Sequence, residues 1–291
     1  SIVHYHNSYF VGFLMDGILL LEKQKETNHY QIQSLPINSG VFCLKKDRFQ
    51  DVVWIGTDGQ GVYLYSNPLY SIKSMVLSNY TEKIERPVRA IYLDDERTFW
   101  VGTKGNGILK IYDYEFDKNI SDCRAEVLTT SNSALSSNAV YCFAKSHRNL
   151  LWIGDEEGLT YYSYREKRIK SIPIRIGNED FKYIHDIYET ADSELWLASV
   201  GMGVVKARIA GTPDNPVIVD AQRYIINDGE LGSNYFFTIY AENEANLLFG
   251  NKGYGVFRYN ETTNGLEPVS THKYENMTLN NILAISKDSS N

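Results

Sequence analysis

Several groups of residues in this 291-residue sequence could do chemistry. Two carboxylate clusters, Asp94-Asp95-Glu96 and Asp155-Glu156-Glu157, could share acid and base roles at a scissile bond. Each cluster lies within one local turn, where such charge is usually solvated. Asp186 follows His185, but neighbouring residues on a strand point to opposite faces, so the two form no direct dyad. Gly-X-Gly pairs at Gly59/Gly61, Gly105/Gly107, Gly201/Gly203 and Gly253/Gly255 would suit a phosphate loop, yet no helical pattern follows any of them. The three cysteines, Cys43, Cys123 and Cys142, contain no CxxC pair and cannot make a complete disulfide framework within one chain. The sequence has no GxSxG elbow and no HExxH. The expectation is no catalytic residue, no metal, no cofactor, and a chain that is not itself an enzyme.

The elements that position these residues come from a repeat. Trp54, Trp100, Trp152 and Trp196, with Phe10 and Leu248 in degenerate copies, recur at 44 to 52 residues. That is close to the period of propeller blades. Two residues after each anchor comes Gly12, Gly56, Gly102, Gly154, Ala198 or Gly250, which suggests close backbone approach between neighbouring units. Twelve or thirteen residues before an anchor comes a second apolar pattern, at Val41, Val88, Val140, Ile184 and Phe236, with a further copy at Ile282. Its third position is always small (Cys43, Ala90, Cys142, Asp186, Thr238, Ala284), which fits inner strands crowding an axis and makes the two ring cysteines packing residues. A fourth strand follows each unit, for example Tyr70–Leu77.

These units predict an all-β fold: a β-propeller of six four-stranded blades, with seven as the alternative, forming one domain over residues 1–291. The fixed offset places the first strand of the first unit before residue 1. Ile282–Lys287 is therefore expected to pair with Tyr9–Leu14 and close the ring. In the alternative, Ile2–Tyr5 is the first strand and Ile282–Lys287 is the stub of a seventh blade.

Composition sets limits on partners. A net charge of −7 and the lack of any Lys/Arg run argue against nucleic acid. The longest apolar stretch, Phe10–Leu21, is broken by Asp16 and too short to span a bilayer, so no membrane contact is expected of this segment. The 22 tyrosines suit half-buried strands.

The WIGT…G(V/L)xxY unit, best seen at Trp152–Gly158 and preceded by Leu135-Ser136-Ser137-Asn138, resembles the two-component regulator propeller repeat. The resemblance covers essentially the whole chain. It implies the periplasmic sensor region of a Bacteroidetes hybrid two-component histidine kinase, excised from a longer protein whose kinase lies elsewhere. Such sensors commonly respond to glycan breakdown products, so an oligosaccharide ligand is expected. A second propeller module or a homodimer is the alternative partner.

A ligand site is expected where the loops leading into the first strands meet the hairpins after the anchors. Arg86, Arg89, Tyr183, His185 and Tyr235 are the main candidates there, because turn chemistry does not require them. Lys104, Lys252 and Tyr254 lie on the adjoining hairpins. Cations, amides and aromatic rings together suit an acidic or neutral oligosaccharide. The asparagines Asn138, Asn234 and Asn280 are read first as turn residues.

Overall fold

A computed structural model describes residues 1–24, 29–66, 71–75, 77, 84–114, 123–226, 234–269 and 280–287. The described residues form six four-stranded antiparallel sheets and one two-stranded hairpin, with no α-helix. This is the six-bladed β-propeller class that the repeat predicts. Blade one is Ile2–Tyr5, Ser8–Gly12, Ile18–Lys23 and Tyr30–Ser34. Blade two is Val41–Lys46, Val52–Thr57, Val62–Ser66 and Ser71–Met75. Tyr70 and Val76, expected in that last strand, lie outside the described residues. Blade three is Val88–Leu93, Phe99–Thr103, Ile108–Ile111 and Ala125–Leu128. Blade four is Val140–Lys145, Leu150–Asp155, Leu159–Ser163 and Arg168–Ser171. Blade five is Ile184–Glu189, Glu194–Ser199, Gly203–Thr212 and Asn215–Tyr224. Blade six is Phe236–Asn243, Asn246–Asn251, Gly255–Asn260 and Gly265–Pro268.

The chain resolves into two compact units. One comprises Ser1–Thr129, Asn138–Val140 and Ser286–Asn291, and the other Thr130–Ser137 and Tyr141–Ile285. Blades one to three thus belong to the first, and blades five and six, with nearly all of blade four, to the second.

The second strands explain the anchor motif. In blades two, three and four every residue of that strand is buried. A strand buried on both faces is apolar throughout and does not alternate. Trp54, Trp100, Trp152, Trp196 and Phe10 are all within 1% of full burial. Leu248 departs from this frame: it is half-buried, and its flanking residues Leu247 and Phe249 carry the core of blade six.

The glycine two residues after the anchor is a packing requirement, as expected. A Cβ on Gly154 would lie 2.7 Å from the Ile184 carbonyl of blade five, and one on Gly56 would strike Cys43 Sγ and crowd Val88 of blade three. Overpacking of this kind costs on the order of 1–3 kcal/mol per site. Burial pushes the Cys43 thiol up to about 12, which fits a packing residue and not a nucleophile.

The expected strand exchange between the chain ends does not occur. Ser8–Gly12 has both edges occupied, by Ile2–Tyr5 on one side and Ile18–Lys23 on the other. Ile2–Tyr5 is therefore the first strand of blade one, and each blade is drawn from one continuous stretch of chain. The reason is the turn. Tyr5 pairs with Ser8 through a two-residue connection, with His6 at φ 53°, so the usual offset of twelve or thirteen residues shrinks to eight. Ile282–Lys287 forms no strand. Ile282 instead seats against Gly250 and donates its amide to the Asn251 carbonyl at 2.9 Å, the contact a following blade's first strand makes elsewhere.

Candidate functional site

Three of the hairpins after the anchors lock onto the loop that follows their blade. In blade three the Gly105 and Gly107 amides both donate to the Asn138 carbonyl, each at 2.9 Å. Gly201 and Gly203 hold the Asn234 carbonyl at 3.1 Å, and Gly253 and Gly255 hold that of Asn280 at 2.7 and 3.0 Å. The positive φ of these glycines turns two successive donors to one side, and that concave pair suits a single oxygen. The Gly-X-Gly motif thus binds a backbone carbonyl of the next blade. Single bridges, Lys104 to Ala139, Val200 to Tyr235 and Lys252 to Asn281, complete each join.

The candidate residues occupy these joins in different ways. Lys104, Tyr235 and Lys252 sit on the bridges, with the Lys104 and Lys252 side chains exposed and Tyr235 half-buried. The Tyr235 ring lies over Gly201. Tyr183 is 41% exposed at φ 55°, its amide donating to the Glu156 carbonyl at 3.0 Å. Tyr254 is half-buried between Gly253 and Gly255 and packs on the core of blade six. Arg86 is exposed and borders a cavity of about 180 Å³ beside Gly59, Gly61, Leu77 and Ile84.

Arg89 and His185 are engaged by their neighbours. The Arg89 guanidinium lies 3.8 Å over the Phe42 ring of blade two. In the other unit His185 stacks on Tyr141 at 4.3 Å and meets Phe237 edge-on at 5.1 Å. All five occupy the second position of a first strand, so equivalent planar groups of adjacent blades stack on one another. Ring faces expected to take a sugar are in contact with protein.

The carboxylates read as possible acid–base groups hold structure together. Asp94 accepts the Glu96 and Thr98 amides and the Trp100 indole N–H at 2.9 Å. Asp47, which the sequence did not single out, does the same for the Trp54 indole at 2.8 Å. Asp155 accepts the Glu157 and Gly158 amides and the Ser136 hydroxyl, and burial raises its carboxyl to about 6. Asp186 ties its own strand to the next blade, accepting the Ile187 amide at 2.9 Å and the Ile239 amide at 2.7 Å. Among the described residues no cluster of His, Cys, Asp and Glu has the arrangement of a metal site.

A larger cleft, about 760 Å³, lies at the other end of the first strands in the second unit. Lys145, His147, Asn149, Ile187 and Tyr188 line it, between the hairpins of blades four and five. The repeat frame gave no signal for it, because its walls come from turns whose length and sequence vary.

With that geometry in view, comparison with known proteins defines the fold class. No family model matches the chain. The extracellular domain of the hybrid two-component system BT3049 from B. thetaiotaomicron superposes over 91% of this chain at a TM-score of 0.67 and 21% identity. PorZ of Porphyromonas gingivalis, a surface component of the type-IX secretion system, superposes over 88% at 0.63 and 14%. The extracellular domain of BT4673 from B. thetaiotaomicron covers 92% at 0.53 and 15%. At these identities the likeness establishes the propeller fold. This chain spans 33% of the BT3049 chain, 37% of PorZ and 42% of BT4673. In sequence, 140 residues are 31% identical to translation initiation factor 6 of Saccharolobus solfataricus, covering 44% of this chain and 57% of that protein. That stretch falls short of a family assignment.

Proposed function

We propose that this chain is the ligand-sensing propeller of an extracytoplasmic two-component receptor, and that it binds oligosaccharides at the leading ends of its first strands. The observation that carries this reading is the division of labour there. Backbone joins fix the loops, while exposed cationic or aromatic side chains that the joins do not need stand beside them, Arg86 and Lys104 within the first unit and, separately, Tyr183 and Lys252 within the second. The fold shared with extracellular domains of hybrid two-component systems supports it. In this reading the chain is periplasmic and non-enzymatic, and a histidine kinase in further domains carries the output. Isothermal titration calorimetry against a panel of neutral and acidic oligosaccharides tests it. A ligand should appear, and Tyr183→Ala should weaken it about tenfold, the order of one lost stacking or hydrogen-bonding contact. A panel with no binder sinks the sensor reading.

A second reading, a scaffold that docks a second propeller or a second copy, is favoured by one feature. The blade-one hairpin departs from the glycine motif and exposes Phe13, Leu14 and Met15 at 38%, 44% and 85%. Sedimentation of the wild type and of Leu14→Glu distinguishes it: a concentration-dependent dimer lost in the variant favours the scaffold.

A further inference from the structure

The joins between blades supply an internal control for one site. Three Gly-X-Gly hairpins hold the carbonyl of the next blade's lead-in residue, and in all three that residue is asparagine: Asn138, Asn234 or Asn280. Blade two carries the same hairpin, Gly59-Gln60-Gly61, with the same left-handed backbone (φ 85° and 80°). Its lead-in partner is Arg86. Here, among the described residues, the Gly59 and Gly61 amides donate to no acceptor. The loop is tethered elsewhere: the Asn106 side-chain oxygen of blade three accepts the Glu85 and Arg86 amides at 3.0 and 2.8 Å. The Arg86 side chain passes over Gly105 of blade three, and a cavity of about 180 Å³ is lined by Gly59, Gly61 and Arg86.

We propose that this vacated cradle binds a carboxylate, with one oxygen on the Gly59 and Gly61 amides and the Arg86 guanidinium on the other. In the occupied hairpins two amides of this geometry take a carbonyl oxygen, so a carboxylate oxygen fits the same donors with stronger, charge-assisted bonds. Arginine at the lead-in position adds a planar fork matched to that anion. Whole-ligand pockets run to roughly 300–1,000 Å³, so this cavity takes an end group while the rest of the molecule lies outside. The class is therefore a sugar acid: a uronate, or an oligosaccharide ending in one. This deepens the oligosaccharide reading above and rests on it for the sugar, though not for the carboxylate. Glu85 also lines the cavity, and its charge opposes an anion.

Amide spectra of the ¹⁵N-labelled full chain test this, with sodium acetate, D-galacturonate, its methyl ester and D-galactose as probes. Acetate and galacturonate should shift the Gly59 and Gly61 resonances saturably, and leave Gly105 and Gly107, already bonded to Asn138, in place. Arg86→Gln should weaken galacturonate about tenfold, and Glu85→Gln should tighten it about threefold, the direction set by removing a like charge. The ester and galactose should bind at least tenfold more weakly than the acid. If acid and neutral sugars bind alike and Arg86→Gln changes nothing, the carboxylate cradle is wrong while sugar sensing stands. If acetate moves Gly59 and Gly61 but no saccharide binds, the cradle stands and the sugar reading falls. Unmoved glycine resonances with every probe overturn the proposal.

Discussion

Blades three and four solve one problem in two ways. Each buries an anchor indole whose N–H needs an acceptor. In blade three the acceptor is Asp94, the first residue after its own first strand. In blade four that position is Ser146, which caps its turn by accepting the Arg148 amide. The Trp152 indole reaches instead to Glu189 of blade five at 2.7 Å, and Arg148 stands 3.5 Å from the same carboxylate. One blade satisfies its anchor internally. The other borrows a charge from its neighbour, and the cleft lined by His147 and Tyr188 lies at that seam. The difference teaches that an anchor can hold a blade together or hold two blades to each other, and that one residue after the first strand decides which.

Removing the borrowed charge should have the largest effect. Glu189→Ala leaves the buried Trp152 N–H without its acceptor and the half-buried Arg148 without its counter-charge, though still bonded to the Ser193 hydroxyl. Breaking a buried pair costs about 3–5 kcal/mol, and chemical denaturation should show a loss near the lower figure because Arg148 is partly exposed. Asp94→Ala should cost less, about 2 kcal/mol, since the groups that donate to it are neutral, an indole and two turn amides. A graft sharpens the contrast: Ser146→Asp in the Glu189→Ala background should recover about 1 kcal/mol by giving blade four its own acceptor. No recovery would show that the two solutions are not interchangeable.

A separate effect is a pH dependence within blade four. Asp155 sits where blades two and three carry Thr57 and Thr103, and burial raises its carboxyl from 3.8 to about 6. A raised carboxyl means that the fold resists ionisation. The destabilisation is full above pH 6, fades as pH falls, and is gone below the unfolded value near 3.8. Asp155→Asn, which keeps an acceptor for the two amides and a donor for Ser136, should remove this term. The melting-temperature gap between variant and wild type should therefore be larger at pH 7.5 than at pH 5.

The repeat was legible because every blade must bury a large second-strand residue and leave room two residues later for its neighbour. Trp54 with Gly56 and Trp152 with Gly154 carry that requirement openly. The first strand of blade one was legible only as the alternative, because a two-residue turn at His6 replaced the longer connection on which the offset was built. The frame also placed the lead-in positions correctly, but not their bonds. That Gly-X-Gly seizes the carbonyl before the next strand needs two blades side by side. That Arg89 and His185 are covered by Phe42 and Tyr141 needs the same. Arg86 in place of asparagine was visible in the sequence, yet its meaning depended on knowing what the asparagines' carbonyls do.

One feature of the fold reaches beyond stability. Each four-stranded sheet is spelled by a single run of the chain, and three of the glycine hairpins meet the following lead-in loop through a backbone carbonyl. A duplication or deletion whose breakpoints fall in the connecting loops would therefore carry a complete sheet with its docking edges. The number of blades could change by whole units in the course of evolution, and new specificity could arise on a copied blade while the original kept its own.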